Sequence, residues 1–374
     1  MCLSARASSW ARTTTWRALS VKRSNTYFLS RLPGPYALTP AHCSERFGGH
    51  RRASETALPI RYHCLLSRVE SVPCGLKCTL PSALRPRDTV QPKALVTGGA
   101  GFIGSHLSEL LLEAGWEVFV LDDLSTGARS NIAHLESRRD FHLVVESILS
   151  PSVVSELVHK CDVVYHLAAA VGVRLIVEQP GHTLLTNVQG TENVLEYCAR
   201  FGKRVLIASS SEVYGDHREE KPLAEDARRI YGPTTARRWA YADSKAMDEF
   251  LALALHEERG LDCVIARLFN TVGARQSGQY GMVIPRMVDR ALAGEPIEIH
   301  GDGTQTRCFC HVADAIRALH GLLEGGGTSG EIFNVGSTES IRIRDLAERI
   351  RAATRSDSEL LFVPYDEIYR HGIV

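Results

Sequence analysis

The sequence predicts an α/β fold in which a doubly wound parallel sheet carries helices on both faces and a smaller C-terminal lobe binds a substrate. Two observations lead to this prediction. From residue 92 onward, short apolar segments typical of buried strands alternate with segments whose apolar residues recur at helical spacing. In the first such unit, Gly98, Gly101 and Gly104 lie between the strand and the helix, a pattern typical of turns that bring the backbone close to a phosphate.

The first unit consists of strand 94–96, the glycine turn, and a helix that ends at Gly115. The first glycine permits the turn, the second lets a pyrophosphate approach the backbone, and the third lets the helix pack closely on the strand. A second strand, 117–121, ends in Asp122, at the distance expected for an acid that binds the adenosine ribose. The unit predicts a dinucleotide site, and the acid favours NAD over NADP because a 2′-phosphate would meet a like charge. The alternative is that Asp122 only solvates the strand end.

The alternation of strands and helices continues along the chain. Further strands are predicted at 141–145, 162–168, 204–209, 263–268, 297–299 and 331–335. Further helices are predicted at 152–160, 182–201, 283–293, 312–323 and 341–353, with one more around Tyr241. We expect a cofactor-binding domain over 91–270 and the smaller lobe over 271–374, interleaved with strands of the main sheet.

Charge and composition separate the first 90 residues from the rest. The 374-residue chain is 44% hydrophobic with a formal net charge of zero, enough apolar content for a large core. Residues 1–90 hold 14 of the 43 Lys and Arg but 4 of the 43 Asp and Glu, which leaves 29 basic and 39 acidic residues afterwards. The acidic remainder argues against a nucleic-acid ligand. Residues 1–90 lack periodicity and are assigned no fold; a disordered extension, or sequence translated from a mistaken start, is favoured over a transit peptide.

The remaining composition argues against a membrane or metal protein. No run approaches the roughly 18 apolar residues that span a bilayer. His63, Cys64, Cys74 and Cys78 fit no zinc spacing, so no metal is expected. Five of the ten cysteines lie in apolar strand or helix segments and are expected to be reduced thiols of a cytoplasmic protein: Cys161, Cys198, Cys263, Cys308 and Cys310.

Two segments carry candidate chemistry. The strand 204–209 runs directly into Ser210, Ser211 and Glu212, at the strand ends where open α/β sheets bind ligands. Tyr241 and Lys245 are four residues apart and project from one helix face. A tyrosine pKa near about 10 makes a poor base at neutral pH, but a close ammonium lowers that pKa. Tyr241 could then take a hydroxyl proton while a hydride leaves the same carbon. An ordinary surface pair is the alternative.

With the glycine motif, the serine strand end and Tyr241-x-x-x-Lys245 in this order, residues 93–374 resemble the extended short-chain dehydrogenases/reductases of the nucleotide-sugar epimerase, dehydratase and decarboxylase group. The resemblance implies a Rossmann domain with tightly held NAD, a lobe for a nucleoside diphosphate sugar, and a homodimer. It implies cofactor contacts from Gly98, Gly101, Phe102, Ile103, Gly104, Asp122, Leu167, Ala168, Tyr241 and Lys245. It implies a catalytic set of Ser210, Glu212, Tyr241 and Lys245, and substrate contacts from Asn270 and Arg307.

The segment at Ser211 and Glu212 bears on the reaction. Dehydratases of this group carry an acid where Ser211 stands, and 4-epimerases usually lack an acid at Glu212. The Ser-Glu-Val-Tyr-Gly run at 211–215, with the later Gln305-Thr306-Arg307, most resembles UDP-glucuronate decarboxylases. A 4-epimerase or 4,6-dehydratase stays an alternative, as does an NAD-binding partner or sensor without turnover, although binding alone needs none of the catalytic set. Glu212 could also be a strand-end carboxylate that accepts backbone N–H bonds. Relatives continue beyond the position of Val374, so we expect the sequence to be a fragment lacking part of the sugar-binding lobe.

Overall fold

A computed structural model describes residues 17–20, 27–30, 91–171, 179–217, 222–278 and 282–364. Its strands are β1 (Arg17–Ser20), β2 (Tyr27–Ser30), β3 (Lys93–Thr97), β4 (Glu117–Leu121), β5 (Phe141–Val144), β6 (Val163–His166), β7 (Arg204–Ser210), β8 (Cys263–Leu268), β9 (Thr271–Val272), β10 (Ile297–His300), β11 (Thr306–Cys308), β12 (Cys310–His311), β13 (Glu331–Val335), β14 (Ser340–Arg342) and β15 (Leu360–Val363). Its α-helices are α1 (Phe102–Glu113), α2 (Pro151–Lys160), α3 (Pro180–Phe201), α4 (Trp239–Arg259), α5 (Val283–Ala293), α6 (Val312–Glu324) and α7 (Ile343–Thr354).

The main sheet has nine strands in the order β1-β2-β13-β8-β7-β6-β3-β4-β5. The seven strands from β13 to β5 are all parallel. The chain first builds outward from β3 through β4 to β5, then returns to β6 and builds the other way. In such a sheet the loops after β3 and β6 diverge and leave a crevice at the carboxyl ends of the strands. The predicted doubly wound Rossmann fold is confirmed.

Two short strands at one edge were not expected from the sequence. β1 and β2 pair antiparallel with each other, and β2 pairs antiparallel with β13. Residues 1–90 show no sustained period of strands or helices, which is why no element was assigned there. The rest of residues 1–90 lies outside the described residues, so its interpretation as an extension or transit peptide stays a prediction.

Helices cover both faces of the main sheet, as the near-continuous apolar strands require. On one face α1 and α6 bury Leu107, Leu111 and Leu319 against the sheet. On the other face α2, α3 and α4 form a second core that includes Leu195 and Ala252. Fully burying one such leucine contributes roughly 1.5–3 kcal/mol, and the two layers hold the strand ends in fixed positions. No helix in the described part of the chain is both long and apolar enough to cross a membrane.

A smaller lobe is built from later parts of the chain. α5 and α7 pack on the parallel pair β10 and β15, with a core that includes Met287, Ile299 and Leu346. β11 pairs antiparallel with β14. The helix expected at 341–353 begins only at Ile343 because residues 340–342 form β14 instead. Between these elements, α6 and β13 return to the main sheet, so the lobe is interleaved with it.

Candidate active site

The turn after β3 has room only for glycine at two of its three positions. Gly98 has φ +70°, and a Cβ there would lie 2.8 Å from the Cα of Ala168. A Cβ on Gly104 would lie 2.2 Å from the carbonyl oxygen of Gly98. α1 begins directly after Gly101, which caps it without a side chain, so the first N–H groups of the helix are free to bind an anion. This backbone cradle fits the pyrophosphate of a dinucleotide.

Asp122, at the end of β4, lies where the adenosine ribose is expected. Its carboxylate is 7% exposed and accepts hydrogen bonds from the backbone N–H groups of Ala100 (2.9 Å) and Leu124 (2.8 Å). Burial raises the pKa of Asp122, and these backbone bonds oppose that rise. Arg129, the cation nearest in sequence, makes paired bonds of 2.8 Å to Glu136. A 2′-phosphate would therefore meet the Asp122 carboxylate, which fits NAD.

A single cavity of about 1610 Å³ joins the glycine turn to the smaller lobe. Pockets for one drug-sized ligand have about 300–1,000 Å³, so this cavity has room for a dinucleotide and a second ligand. The structure brings together every residue that the sequence analysis named as a site residue. The cavity lining includes Gly98, Gly101, Phe102, Ile103, Gly104, Asp122, Leu167, Ala168, Ser210, Glu212, Tyr241, Lys245, Asn270 and Arg307. Their individual roles stay predictions.

Ser210, Tyr241 and Lys245 meet at the crevice between β7 and α4. Ser210 ends β7, and its side chain bonds the Tyr241 side chain. Lys245 is buried one helical turn after Tyr241. Burial is the largest influence on Tyr241 and raises its pKa; the Lys245 charge lowers it and the Glu212 charge raises it. The lysine acts in the expected direction, but the expected net lowering is wrong here because burial outweighs it.

Glu212 follows Ser210 in a short 3-10 helix. Its backbone N–H donates to the Ser210 hydroxyl (3.2 Å), while its carboxylate is exposed to the cavity. Among the described residues, none donates a hydrogen bond to this carboxylate, so the structure does not support the alternative in which Glu212 ties backbone N–H groups. The carboxylate stays available to a ligand beside Tyr241.

Asn270 and Arg307 border the same cavity from the side of the smaller lobe. The Asn270 side-chain amide donates to the backbone carbonyl of Cys308 (2.9 Å). The backbone carbonyl of Asn270 accepts from the backbone N–H of Cys310 (3.2 Å). Asn270 thus ties the end of β8 to β11 and β12. Among the described residues, Arg307 bonds the adjacent carbonyl of Thr306 (2.8 Å) and no other group, and its exposed guanidinium is suited to an anionic group.

Sequence reasoning missed a group of buried polar residues behind Lys245. Asp248 lies with its Oδ2 3.1 Å from the Lys245 Nζ, and both side chains are at most 3% exposed. Thr97, His166 and Thr191 are fully buried beside them. The one available signal was the spacing of Asp248, three residues after Lys245 on a helix. The other three come from β3, β6 and α3, and only the fold brings them together.

Comparison with known proteins places the chain in a family. The sequence profile of the NAD dependent epimerase/dehydratase family matches residues 94–336. The chain belongs to this family. It is an NAD-dependent enzyme of the extended short-chain dehydrogenase/reductase type, as its glycine motif and Tyr241-x-x-x-Lys245 pair predicted, and NAD is its cofactor.

Its relatives include several sugar-nucleotide enzymes. The chain is 39% identical over 284 residues to the UDP-N-acetyl-alpha-D-glucosaminuronate decarboxylase of Bacillus cytotoxicus, which covers 76% of this chain and 87% of that protein. It is 35% identical over 272 residues to UDP-glucuronic acid decarboxylase 1 of Danio rerio, and the match covers 73% of this chain and 63% of that protein. The solved structure of the UDP-glucuronic acid 4-epimerase of Bacillus cereus, in complex with UDP-glucuronic acid and NAD, is 33% identical in sequence and has a TM-score of 0.66. The match covers 73% of this chain and 86% of that chain.

Proposed function

We propose that this protein decarboxylates UDP-glucuronate to UDP-xylose through transient oxidation at C4 of the sugar. The observation that carries the proposal is the exposed carboxylate of Glu212, which accepts no hydrogen bond from the described residues, beside Ser210 and Tyr241 in one cavity. Relatives named as decarboxylases of UDP-linked uronates support it. Bound NAD supplies the chemistry of taking a hydride from C4 and returning it, so no external oxidant is consumed.

Tyr241 and Lys245 handle the proton of the C4 hydroxyl. Tyr241 receives this proton as general base and gives it back when the hydroxyl is restored. Ser210, bonded to Tyr241, orients the same hydroxyl. The Lys245 ammonium favours the phenolate form of Tyr241, so the pair can hold the negative charge that appears as the proton moves.

Glu212 and Arg307 serve the carbon–carbon cleavage. With a ketone at C4, the carboxylate on C5 is β to a carbonyl and leaves as carbon dioxide, with its electron pair left as an enolate. Glu212 supplies or positions the proton that C5 then takes up. Arg307 counters the negative charge of the substrate, since a preorganised cation in a site shielded from water stabilises developing charge.

Other reactions at the same site are less well supported. A 4,6-dehydratase needs an acid where Ser211 stands. A 4-epimerase needs no carboxylate at Glu212, although the Bacillus cereus neighbour is named as one. The Bacillus cytotoxicus relative favours one further substrate, the N-acetylated uronate, which carries the same leaving carboxylate.

We also propose a homodimer that pairs the outer faces of α3 and α4. Large apolar side chains are exposed there: Leu185 (64%), Met247 (52%) and Phe250 (59%). Exposed apolar residues grouped on one face are typical of subunit interfaces. The cytoplasm remains the proposed location, because the five described cysteines are unpaired and thiols persist in reducing compartments.

The deciding experiment incubates purified protein and NAD with UDP-glucuronate, its N-acetylated counterpart, UDP-glucose and UDP-galactose, and identifies the products by mass. We expect UDP-xylose and carbon dioxide from UDP-glucuronate. Glu212→Ala should slow carbon dioxide release by about 100-fold or more without weakening NAD binding. Asp243→Asn is the control. Asp243 lies on the same helix as Tyr241, and its carboxylate pairs with Arg229. This variant should keep its activity. Interconversion of UDP-glucose and UDP-galactose with UDP-glucuronate untouched would establish the epimerase instead.

A further inference from the structure

A chain of buried polar groups leads from the cofactor side of the sheet to Lys245. The backbone N–H of Ala168, which lines the cavity, donates to the Thr97 hydroxyl (3.2 Å). The same hydroxyl lies 2.8 Å from Nδ1 of His166, whose Nε2 lies 3.0 Å from the hydroxyl of Thr191. The Thr191 hydroxyl in turn faces the Asp248 carboxylate. Burial raises the pKa of Asp248, and Lys245 and Thr191 act against that rise.

The donor and acceptor of each bond in this chain follow from the acid at its end. A carboxylate can only accept, so Thr191 uses its single proton toward Asp248 and must accept from Nε2–H of His166. Burial lowers the pKa of His166 to about 3, so the ring is neutral and its Nδ1 must accept from Thr97. Every proton therefore points toward Asp248 and favours its ionised form, against the burial that raises its pKa. Oδ1 of Asp248 has no well-formed hydrogen bond among the described residues, which leaves the Oδ2 contact with Lys245 as its main partner.

We propose that Asp248 is a positioning residue that fixes the Lys245 ammonium beside Tyr241 and keeps it charged. The proposal rests on the proposed role of Tyr241 and Lys245 in proton transfer. Asp248 is not itself exposed to the cavity: its side chain is 0% exposed, and it acts through the lysine. Thr191 on α3 and His166 on β6 in turn hold Asp248 in position.

The charges around the pair give the direction of the effect. Burial is the largest single influence and lowers the pKa of Lys245. The charge and hydrogen bond of Asp248, together with the charges of Tyr241 and Glu249, outweigh it and raise this pKa above its ordinary value. A buried lysine without an opposite charge loses its proton more easily. Other groups face the site but do not replace Asp248. His166 is neutral, and Glu249 is bonded to Arg267 (2.8 and 2.6 Å) and Ser209 (2.5 Å). Glu212 acts on Tyr241.

The test compares the pH dependence of turnover in the native protein and in Asp248→Asn. With Asp248 present, Lys245 stays protonated at alkaline pH. Without Asp248, Lys245 should lose its proton about one to three pH units lower. The variant should therefore lose activity at about pH 8–9.5, where the native protein is still active. Thr191→Val should also shift the loss of activity at high pH, the alkaline limb of the pH profile, to lower pH, but by a smaller amount. Asp248→Glu should restore the native limb in part.

Glu249→Gln is the matched control. Glu249 is the next residue on α4, is also buried, and pairs with Arg267. Glu249→Gln should lower the melting temperature at least as much as Asp248→Asn but move the alkaline limb by less, because Glu249 adds less to the pKa of Lys245 than Asp248 does. An Asp248→Asn profile that keeps the native shape, with either native or uniformly reduced activity, overturns the proposal. If Asp248→Asn does not fold, the Thr191→Val profile decides in the same way. Failure of the proposed function would look different: Tyr241→Phe and Lys245→Met would then retain turnover.

Discussion

The glycine turn and the catalytic helix hold their ligands by different means. The turn after β3 is built from backbone: two glycines stand where a Cβ would lie 2.8 Å or less from another backbone atom, and no side chain caps α1. At α4 the site is built from buried charged and polar side chains, with Lys245 and Asp248 at most 3% exposed. The first region depends on available space and the second on charge.

This difference indicates which property each substitution should change. Added volume at the turn should weaken cofactor binding and leave the proton chemistry intact. Loss of the Tyr241 hydroxyl at α4 should stop turnover and leave the binding of the cofactor phosphates intact, since the phosphate contacts lie elsewhere. Substitutions in the two regions should therefore separate binding from catalysis.

The largest effect is expected for Tyr241→Phe. Removing the phenol hydroxyl leaves no general base at the C4 hydroxyl, and loss of such a group typically costs about 100- to 10,000-fold in rate. NAD affinity, measured by fluorescence titration, should change little. Tyr231→Phe is the control: it removes a hydroxyl that donates to the Val213 carbonyl (2.7 Å) outside the site and should keep most activity. Turnover retained by Tyr241→Phe would mean that another group is the base.

A smaller effect, on binding alone, is expected for Gly104→Ala. The new Cβ would lie 2.2 Å from the Gly98 carbonyl, so the turn or α1 must shift. Overpacking of this kind costs about 1–3 kcal/mol, which corresponds to roughly 5- to 150-fold weaker NAD binding. In Gly321→Ala a Cβ would meet no atom within 4 Å; this variant should bind NAD normally and stabilise α6 slightly. Native NAD affinity in Gly104→Ala would contradict the spatial argument.

The glycine turn could be predicted from sequence because its requirement is local. Gly98, Gly101 and Gly104 are close in the chain, and the strand and helix around them show their own periods. Strands such as β8 and β13 were predicted at their observed bounds for the same reason. β1, β2 and β14 were missed: no sequence period marks these short strands, and β2 and β14 pair with strands distant in the chain.

The electrostatics of α4 could not be predicted in the same way. The pairing of Tyr241 with Lys245 was visible as helical spacing, and the lowering effect of the ammonium followed from it. How deeply both groups are buried depends on packing against other elements, and that burial sets the net direction of the Tyr241 pKa. The contact of Thr191 with His166 joins residues 25 positions apart, which no local pattern signals.

The smallest effect is expected at Asp122, the one charged residue proposed to bind the adenosine ribose of the cofactor. In Asp122→Asn the backbone bond from Ala100 or Leu124 loses its acceptor, because an amide offers one oxygen where the carboxylate offers two. The like charge that opposes a 2′-phosphate also disappears. Two unit charges about 4 Å apart interact by about 1 kcal/mol even in water, so the preference for NAD over NADP should fall by at least about fivefold. Arg129→Ala should leave the preference unchanged, because Arg129 is committed to Glu136. Tighter binding of NADP than of NAD to the native protein, in parallel titrations, would show that Asp122 does not set the preference.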